Sequence, residues 1–397
     1  MTKLLILSEF FYPDKSSTPK VLTELAEDLI GNGIEVKVIT SKHSYKESIQ
    51  YSNNESFKGI DIKRISSSNM NRNSMLGRVV NYITFTVSLF FNLIKENSYD
   101  AVLVVSNPPL IPFASSINKF LKRKPYYYLV HDVYPDIAVA VNAIKKDGFL
   151  YKIMNVINNV SMKNAEKIIV LGKDMKELFV EKGVKENKIQ IIPNWSIEFN
   201  GNKVVNDLFY RENKLSKNFN VLYTGNIGRF HDVETILAVA KEAKEKLPDV
   251  RFIFIGDGFK KAIIEKAIKE GLNNVVQFGY KYDQEYIDIL LNADTFISTL
   301  SPKIKGMGVP SKTYTYMAAG KPIVAIMEKG TEIGDLVEEY DIGIRVNSME
   351  IDPLINYISS LIEDDDEYNQ VVKNVNRLFK SQYERSIVTK QFVDLIK

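Results

Sequence analysis

Along the whole chain, short runs of β-branched and apolar residues bounded by Gly, Pro, Asn or Asp alternate with longer stretches whose apolar residues recur at helical spacing. The runs fall at 3–8, 34–40, 60–65, 101–106, 126–131, 167–171 and 189–192, then at 221–224, 251–255, 275–278, 295–298, 323–326 and 342–346. They are almost continuously hydrophobic, as strands buried on both faces must be, and such strands belong to parallel sheets covered by helices. The β-α-β-α order therefore predicts an α/β fold. At 397 residues the chain exceeds one compact core, so two doubly wound, Rossmann-like domains facing a cleft are expected. The period breaks between 193 and 218, a stretch rich in Asn, Lys and Asp that opens with PNWS at 193–196. This predicts domains at 1–195 and 205–380. In open α/β sheets ligands sit outside the carboxyl ends of the strands, so function is to be sought in the strand-to-helix loops.

Composition narrows the chemistry. The chain has no cysteine, which removes disulfides, thiolate metal sites and thiol nucleophiles together. Three histidines, His43, His131 and His231, make a multi-histidine metal centre a poor expectation and make each position informative. The apolar run after Met1 is too short for a signal peptide, so a cytoplasmic location is expected. Residues 1–200 carry 26 Lys and Arg against 20 Asp and Glu, the rest 26 against 29. The first half is thus +6 and the second −3, either a hint that the first half meets something anionic or an incidental solvated surface. It does not amount to a nucleic-acid signature, and no nucleic-acid partner is expected.

Four loops follow buried strands and carry groups suited to chemistry. EFFYPDKSSTP at 9–19 runs into a helix with Thr18 as expected N-cap and Pro19 at its first position, facing either an anion or an acceptor hydroxyl, or serving only as a connection. YLVHDVYPD at 128–136 sets His131 and Asp132 at a strand end. YTGNIGRFHD at 223–232 offers Gly225 and Gly228 for close approach and Arg229 for bidentate contact with phosphate, with His231 beside them. This is a diphosphate cradle without a dinucleotide fingerprint or a Walker lysine, and IGDG at 255–258 is a second glycine turn. GMGVPSKTYTYMAAGKPIVA at 306–325 starts a short helix at Pro310 and Ser311, beside Lys312, with small residues that allow close packing.

Residues 79–94 contain no charge and are flanked by Arg72, Arg78 and Lys95. Sixteen residues fall short of a bilayer span. Two readings stay open: a helix buried against the first sheet, or a surface that dips into a lipid interface, helped by Lys119, Lys122, Arg123 and Lys124.

Taken in order, the first loop, HDVYPD, PNW, YTGNIGR, IGDG and the PSKTYTYMAAGKPIVA block resemble the retaining GT-B glycosyltransferases of family four over nearly the whole chain. Within that family the chain is most similar to the bacterial O-antigen and capsule enzymes that include N-acetyl-L-fucosamine transferases. The resemblance implies a UDP-sugar donor on the C-terminal domain and a lipid-linked (polyprenyl diphosphate) saccharide acceptor on the N-terminal one, at the inner face of the cell membrane, without metal or other cofactor. It also implies a C-terminal helix, about 383–397, that packs back on the first domain. Carried over by position, donor binding falls to Gly225, Asn226, Gly228, Arg229, His231, Gly256, Asp257, Gly258, Phe278, Gly279, Tyr280, Pro310, Ser311, Lys312 and Thr315. The acceptor side falls to Ser16, Ser17, Thr18 and Asp136, and catalysis to His131, Asp132, Arg229 and Lys312. The chain departs from the pattern where Ser16 and Ser17 replace a glycine pair, and where Met307 and Thr315 replace the family's two glutamates, the second of which binds ribose. Two alternatives stay open: a UDP-sugar 2-epimerase, for which Asp132, Asp136 and Glu9 are the candidate carboxylates, and a catalytically inactive nucleotide-binding member of the fold.

Overall fold

The computed structural model describes residues 2–14, 16–44, 49–72, 74–196, 199 and 205–397. Part of the stretch expected as a linker, residues 197, 198 and 200–204, lies outside the described residues. The chain forms two compact units, one comprising Met1–Asn194, Gly306–Gly308 and Ser386–Lys397, the other Trp195–Lys305 and Val309–Arg385.

The first unit contains β1 (Lys3–Leu7), α1 (Ser17–Gly31), β2 (Glu35–Ser41), β3 (Asn54–Phe57), β4 (Ile60–Ile65), α2 (Met75–Lys95), β5 (Ala101–Val105), α3 (Ile111–Lys122), β6 (Tyr126–Leu129), α4 (Asp136–Ala140), α5 (Phe149–Asn164), β7 (Lys167–Val170), α6 (Lys173–Glu181) and β8 (Ile189–Ile191). Its eight-stranded sheet runs β3-β4-β2-β1-β5-β6-β7-β8. All pairings are parallel except β3 with β4. Strand β1 sits centrally and is buried from Leu4 to Leu7, because helices cover both faces of the sheet. Strand β3 is an addition to the expected set. Its residues, Asn-Glu-Ser-Phe, alternate between exposed and half-buried, so it has no apolar run and exists through its hairpin pairing, Phe57 opposite Ile60.

One local expectation needs correction, and one open segment gains definition. Helix α1 begins at Ser17 with Ser16 as its N-cap, and Ser16 makes no side-chain capping bond; Thr18 lies within the first turn. The uncharged segment 79–94 is part of the longer helix α2, which buries one face against the unit and leaves the other exposed. Asn81, Phe85, Leu89 and Leu93 face the unit's interior at 0% exposure, whereas its opposite side is bare. By length and composition alone α2 is long and apolar enough to cross a membrane, but its inner face is committed to packing.

The second unit contains α7 (Leu208–Glu212), β9 (Phe219–Thr224), α8 (Val233–Lys246), β10 (Val250–Ile255), α9 (Lys261–Lys269), β11 (Val275–Phe278), α10 (Asp283–Leu291), β12 (Thr295–Thr299), α11 (Lys312–Ala318), β13 (Ile323–Ile326), α12 (Glu332–Glu339), β14 (Gly343–Val346), α13 (Ile351–Glu363) and α14 (Asp365–Leu378). Its six-stranded sheet, β11-β10-β9-β12-β13-β14, is parallel throughout. Val221, Tyr223, Phe252 and Phe254 from the strands interlock with Val233, Ile236 and Val239 of α8 in one continuous core. The strand order turns back beside β9, so the β9 and β12 ends form the switch point where doubly wound sheets open a crevice. The last helix, α15 (Arg385–Ile396), belongs from Ser386 onward to the first unit, where Tyr127 donates a hydrogen bond to the Leu395 carbonyl.

Candidate active site

In the second unit, the expected donor residues gather at the carboxyl ends of β9, β10 and β11 and along α11. The turn after β9 is held by main chain. Gly225 N–H donates to the Ile255 carbonyl at 2.8 Å and Ile227 N–H to the Asp257 carbonyl at 2.9 Å. The glycines of the β10 turn are required by this approach. A Cβ on Gly256 would stand 1.9 Å from the Gly225 carbonyl oxygen, and one on Gly258 2.6 Å from the Ile227 oxygen, both at strongly positive φ. Gly256 N–H also donates to the Phe278 carbonyl, which carries the arrangement on to β11. Tyr280 leans back and donates its hydroxyl to the Asp257 carbonyl, while the space beside Gly279 is open.

His231 closes the first turn from within. Its Nδ1 accepts the Gly228 N–H at 3.1 Å, which places the ring proton of the neutral form on Nε2. Burial, followed by the nearby charges of Lys312 and Lys260, holds its pKa well below the ordinary histidine range. Asn226 is exposed, and its carbonyl accepts the Tyr223 hydroxyl. Asp232 caps α8 by accepting the Thr235 N–H.

Two cations flank this turn in different states. Arg229 is exposed, its guanidinium 3.5 Å from the centre of the Phe259 ring. Lys312, the first residue of α11, points inward, with Nζ 3.6 Å from the centre of the Tyr223 ring. That ammonium is shielded from solvent and has no hydrogen-bond partner, and burial lowers its pKa well below the usual lysine value. A Cβ placed on Gly225 would lie 4.0 Å from Nζ, so the unpartnered charge abuts the glycine turn. Helix α11 is fixed by Tyr316, stacked on Phe296 at 4.3 Å with its hydroxyl accepting the Thr224 N–H, and by a hydroxyl pair, Thr313 with Ser298. Thr315 is half-buried, Ser311 occupies the N-cap position without a side-chain capping bond, and Pro310 precedes it.

In the first unit, β6 ends at Leu129 and delivers His131 and Asp132 two and three residues later. Ser106, at the end of β5, accepts both the His131 and the Asp132 N–H groups at 3.1 Å. The Thr18 hydroxyl approaches His131 Nδ1 at 3.3 Å, and Nε2 is buried without a partner. Desolvation pushes the His131 pKa down to about 4 and the Asp132 pKa up to about 6. The backbone of Asp132 bridges to Gly308, and Val133 N–H donates to the Met307 carbonyl. Of the expected acceptor residues only Thr18 meets His131 directly. Ser16 and Ser17 occupy the start of α1, and Asp136 is paired with Lys182 at 2.8 Å. Among the described residues no group of three or more His, Asp or Glu side chains is placed to hold a metal ion.

Sequence reasoning missed Ser106, Tyr223 and Tyr316. Ser106 follows five buried apolar residues, so a hydroxyl at that strand end was a readable signal. Tyr316 lay inside the PSKTYTYM block, but only the fold shows that it fastens the neighbouring strand end.

Comparison with known proteins bears on both units. The description "Glycosyltransferase Family 4" matches residues 19–195, and "Glycosyl transferases group 1" matches 206–377. Probable glycosyltransferase WbjE of Pseudomonas aeruginosa is 31% identical over 280 residues, covering 69% of each chain. The colanic acid biosynthesis glycosyl transferase WcaI of Escherichia coli is 25% identical over 364 residues, 87% of this chain and 88% of its own. Among solved structures, Anabaena Alr3699/HepE in complex with UDP-glucose aligns at a TM-score of 0.73 and 17% identity, covering 100% of this chain and 99% of that one. The fold is that of the GT-B enzymes, two Rossmann-like α/β domains with parallel sheets, and the chain belongs to the group 1/family 4 glycosyltransferases.

Proposed function

We propose that this glycosyltransferase moves a sugar, an N-acetylated deoxyhexose, from a UDP-sugar to a lipid-linked saccharide in the assembly of a surface polysaccharide such as capsule or O-antigen, working at the inner face of the cell membrane. The observation that carries the donor side is the Lys312 ammonium, buried beside the Gly225 turn with no partner. A buried, unpaired cation is costly, and an anion at that turn would offset the cost. The UDP-bound and UDP-glucose-bound relatives, and relatives with polysaccharide names, support the same assignment.

In this reading the diphosphate rests against the Gly225–Gly228 and Gly256–Gly258 turns, and Arg229 reaches it from the solvent side. The uracil and ribose lie toward Phe278–Tyr280, with Thr315 in the place that the family resemblance gives to a ribose-binding glutamate. Retention follows from front-face displacement: the acceptor hydroxyl attacks the anomeric carbon as the bond to the phosphate oxygen breaks, and that oxygen takes the hydroxyl proton. Lys312 and Arg229 stabilise the charge that develops on the leaving phosphate, with no metal required. His131, neutral at pH 7, positions the transferred sugar by hydrogen bonding, and Asp132 faces the acceptor. The epimerase alternative fits less well, because Asp136 and Glu9 are already tied up in ion pairs with Lys182 and Arg72.

The test is calorimetric titration of UDP and a transfer assay with membrane-extracted acceptor. Lys312→Ala should weaken UDP by about 100-fold, the scale for removing a buried charged contact, and should lower turnover further, with Arg229→Ala costing less. Normal UDP affinity in Lys312→Ala would overturn the donor assignment. UDP binding with no transfer to any lipid extract would favour an inactive nucleotide-binding protein, and epimer formation without acceptor would favour the epimerase.

A further inference from the structure

Helices α2, α3 and α5 lie side by side on the first unit, α2 against α3 and α3 against α5. More than half of the exposed large hydrophobic side chains among the described residues sit on these three helices. On α2 they form a stripe about one turn apart, Leu76, Val79, Ile83, Val87, Phe91 and Ile94, directly opposite the buried Phe85 and Leu89. Phe120 on α3 is 79% exposed and Phe149 on α5 is 81% exposed. Between α2 and α3 a groove of about 260 Å³ is walled by Val87, Phe90, Phe91, Phe113 and Ile117.

The charge pattern on the same helices is one-sided. None of the chain's 49 acidic residues lies on α2, α3 or α5. Arg78 and Lys95 on α2, Arg123 at the end of α3, and Lys152 and Lys163 on α5 are all exposed. An aqueous surface gains nothing from displaying isoleucine and phenylalanine, and a protein partner would need no such uniform sign. An anionic bilayer matches both features, with apolar side chains entering the acyl boundary and cations meeting headgroup phosphates.

We infer that the α2–α3–α5 face docks on an anionic lipid bilayer, with the α2–α3 groove seating an acyl chain. This deepens the reading above, since it gives a lipid-linked acceptor a place of arrival, but it is tested without donor or acceptor. In flotation with vesicles of phosphatidylglycerol and phosphatidylcholine, the full-length protein should bind, and pure phosphatidylcholine or high salt should weaken binding by about ten-fold. Phe91→Glu combined with Phe120→Glu, two exposed positions, should abolish flotation while UDP affinity and thermal midpoint stay unchanged. A tryptophan introduced by Val87→Trp should be quenched by lipids brominated along the acyl chain. Failure of the wild-type chain to float, undiminished flotation of the double variant, absence of quenching, or a dimer in sedimentation that the double variant dissociates would overturn the inference. UDP binding lost in Lys312→Ala but flotation absent would sink this proposal alone. The converse result would sink the donor assignment alone.

Discussion

Both units hold desolvated ionisable groups beside the carboxyl ends of central strands, and desolvation favours the neutral form in each, but the groups and their neighbours differ. In the first unit it acts on an acid and a base that are sequence neighbours, His131 and Asp132, moving each toward its neutral form. In the second it acts on Lys312, a cation with no carboxylate beside it. A neutral imidazole flanked by a threonine hydroxyl suits hydrogen bonding to an uncharged sugar, whereas an unpartnered ammonium against a glycine turn suits an anion. On the proposed reading, the two units divide recognition of hydroxyls from recognition of phosphate.

The largest expected effect breaks the second unit's side of this contrast. Gly256→Ala forces a Cβ to within 1.9 Å of a carbonyl oxygen, so both turns must move, and a loss of stability of about 3 kcal/mol or more is expected in chemical denaturation, with loss of UDP binding. Gly279→Ala, with open space beside it, serves as the control and should leave both measurements close to wild type.

Next in size are the pH slopes of the first unit. Asp132 has a folded pKa raised from 3.8 to about 6, so its burial costs stability as pH rises through that window, and the penalty is complete above about pH 6. Asp132→Asn should therefore gain up to about 3 kcal/mol at pH 7.5 and nothing near pH 3.5. His131, lowered from 6.5 to about 4, acts in the other direction, costing stability as pH falls from 6.5 toward 4. His131→Asn should flatten that acid limb and expose the Asp132 slope alone. Denaturation midpoints across pH 3.5–7.5 for the three proteins would show parallel curves if the environments of the two groups do not differ from water.

Ser106→Ala removes the shared acceptor of two backbone N–H groups and should cost about 1–2 kcal/mol without changing UDP affinity. The smallest effect is expected from chelation: EDTA should leave transfer unchanged, because the proposed charge stabilisation comes from Lys312 and Arg229. A rate restored only by added magnesium would move that role away from the side chains.

How far this was legible without coordinates differs from element to element. The apolar strands could be read because residues such as 101–105 are buried on both faces and leave no room for alternation. Strand β3 could not be read that way, since Asn54–Phe57 is an edge strand whose only support is pairing with β4. Its one signal was the turn, Lys58 and Gly59, both at positive φ as a two-residue hairpin loop requires. The start of α1 was misplaced by two residues because Ser16, Ser17 and Thr18 are all acceptable caps. In α2 both faces are apolar, so periodicity could not tell the packed side from the bare one. The Gly225 and Gly256 turns, Arg229 and Lys312 stood out by residue type and position after strands. The isolation of the Lys312 ammonium did not, because it arises from Tyr223 and the turn folding around it, a tertiary circumstance with no local pattern.

The main-chain seam between the Gly225 and Gly256 turns has an evolutionary consequence. A surface made of amides, with no side chain intervening, keeps its shape when surrounding residues are exchanged. Side chains such as Thr315 and Tyr280 can therefore be exchanged without moving the main-chain anchor beneath them.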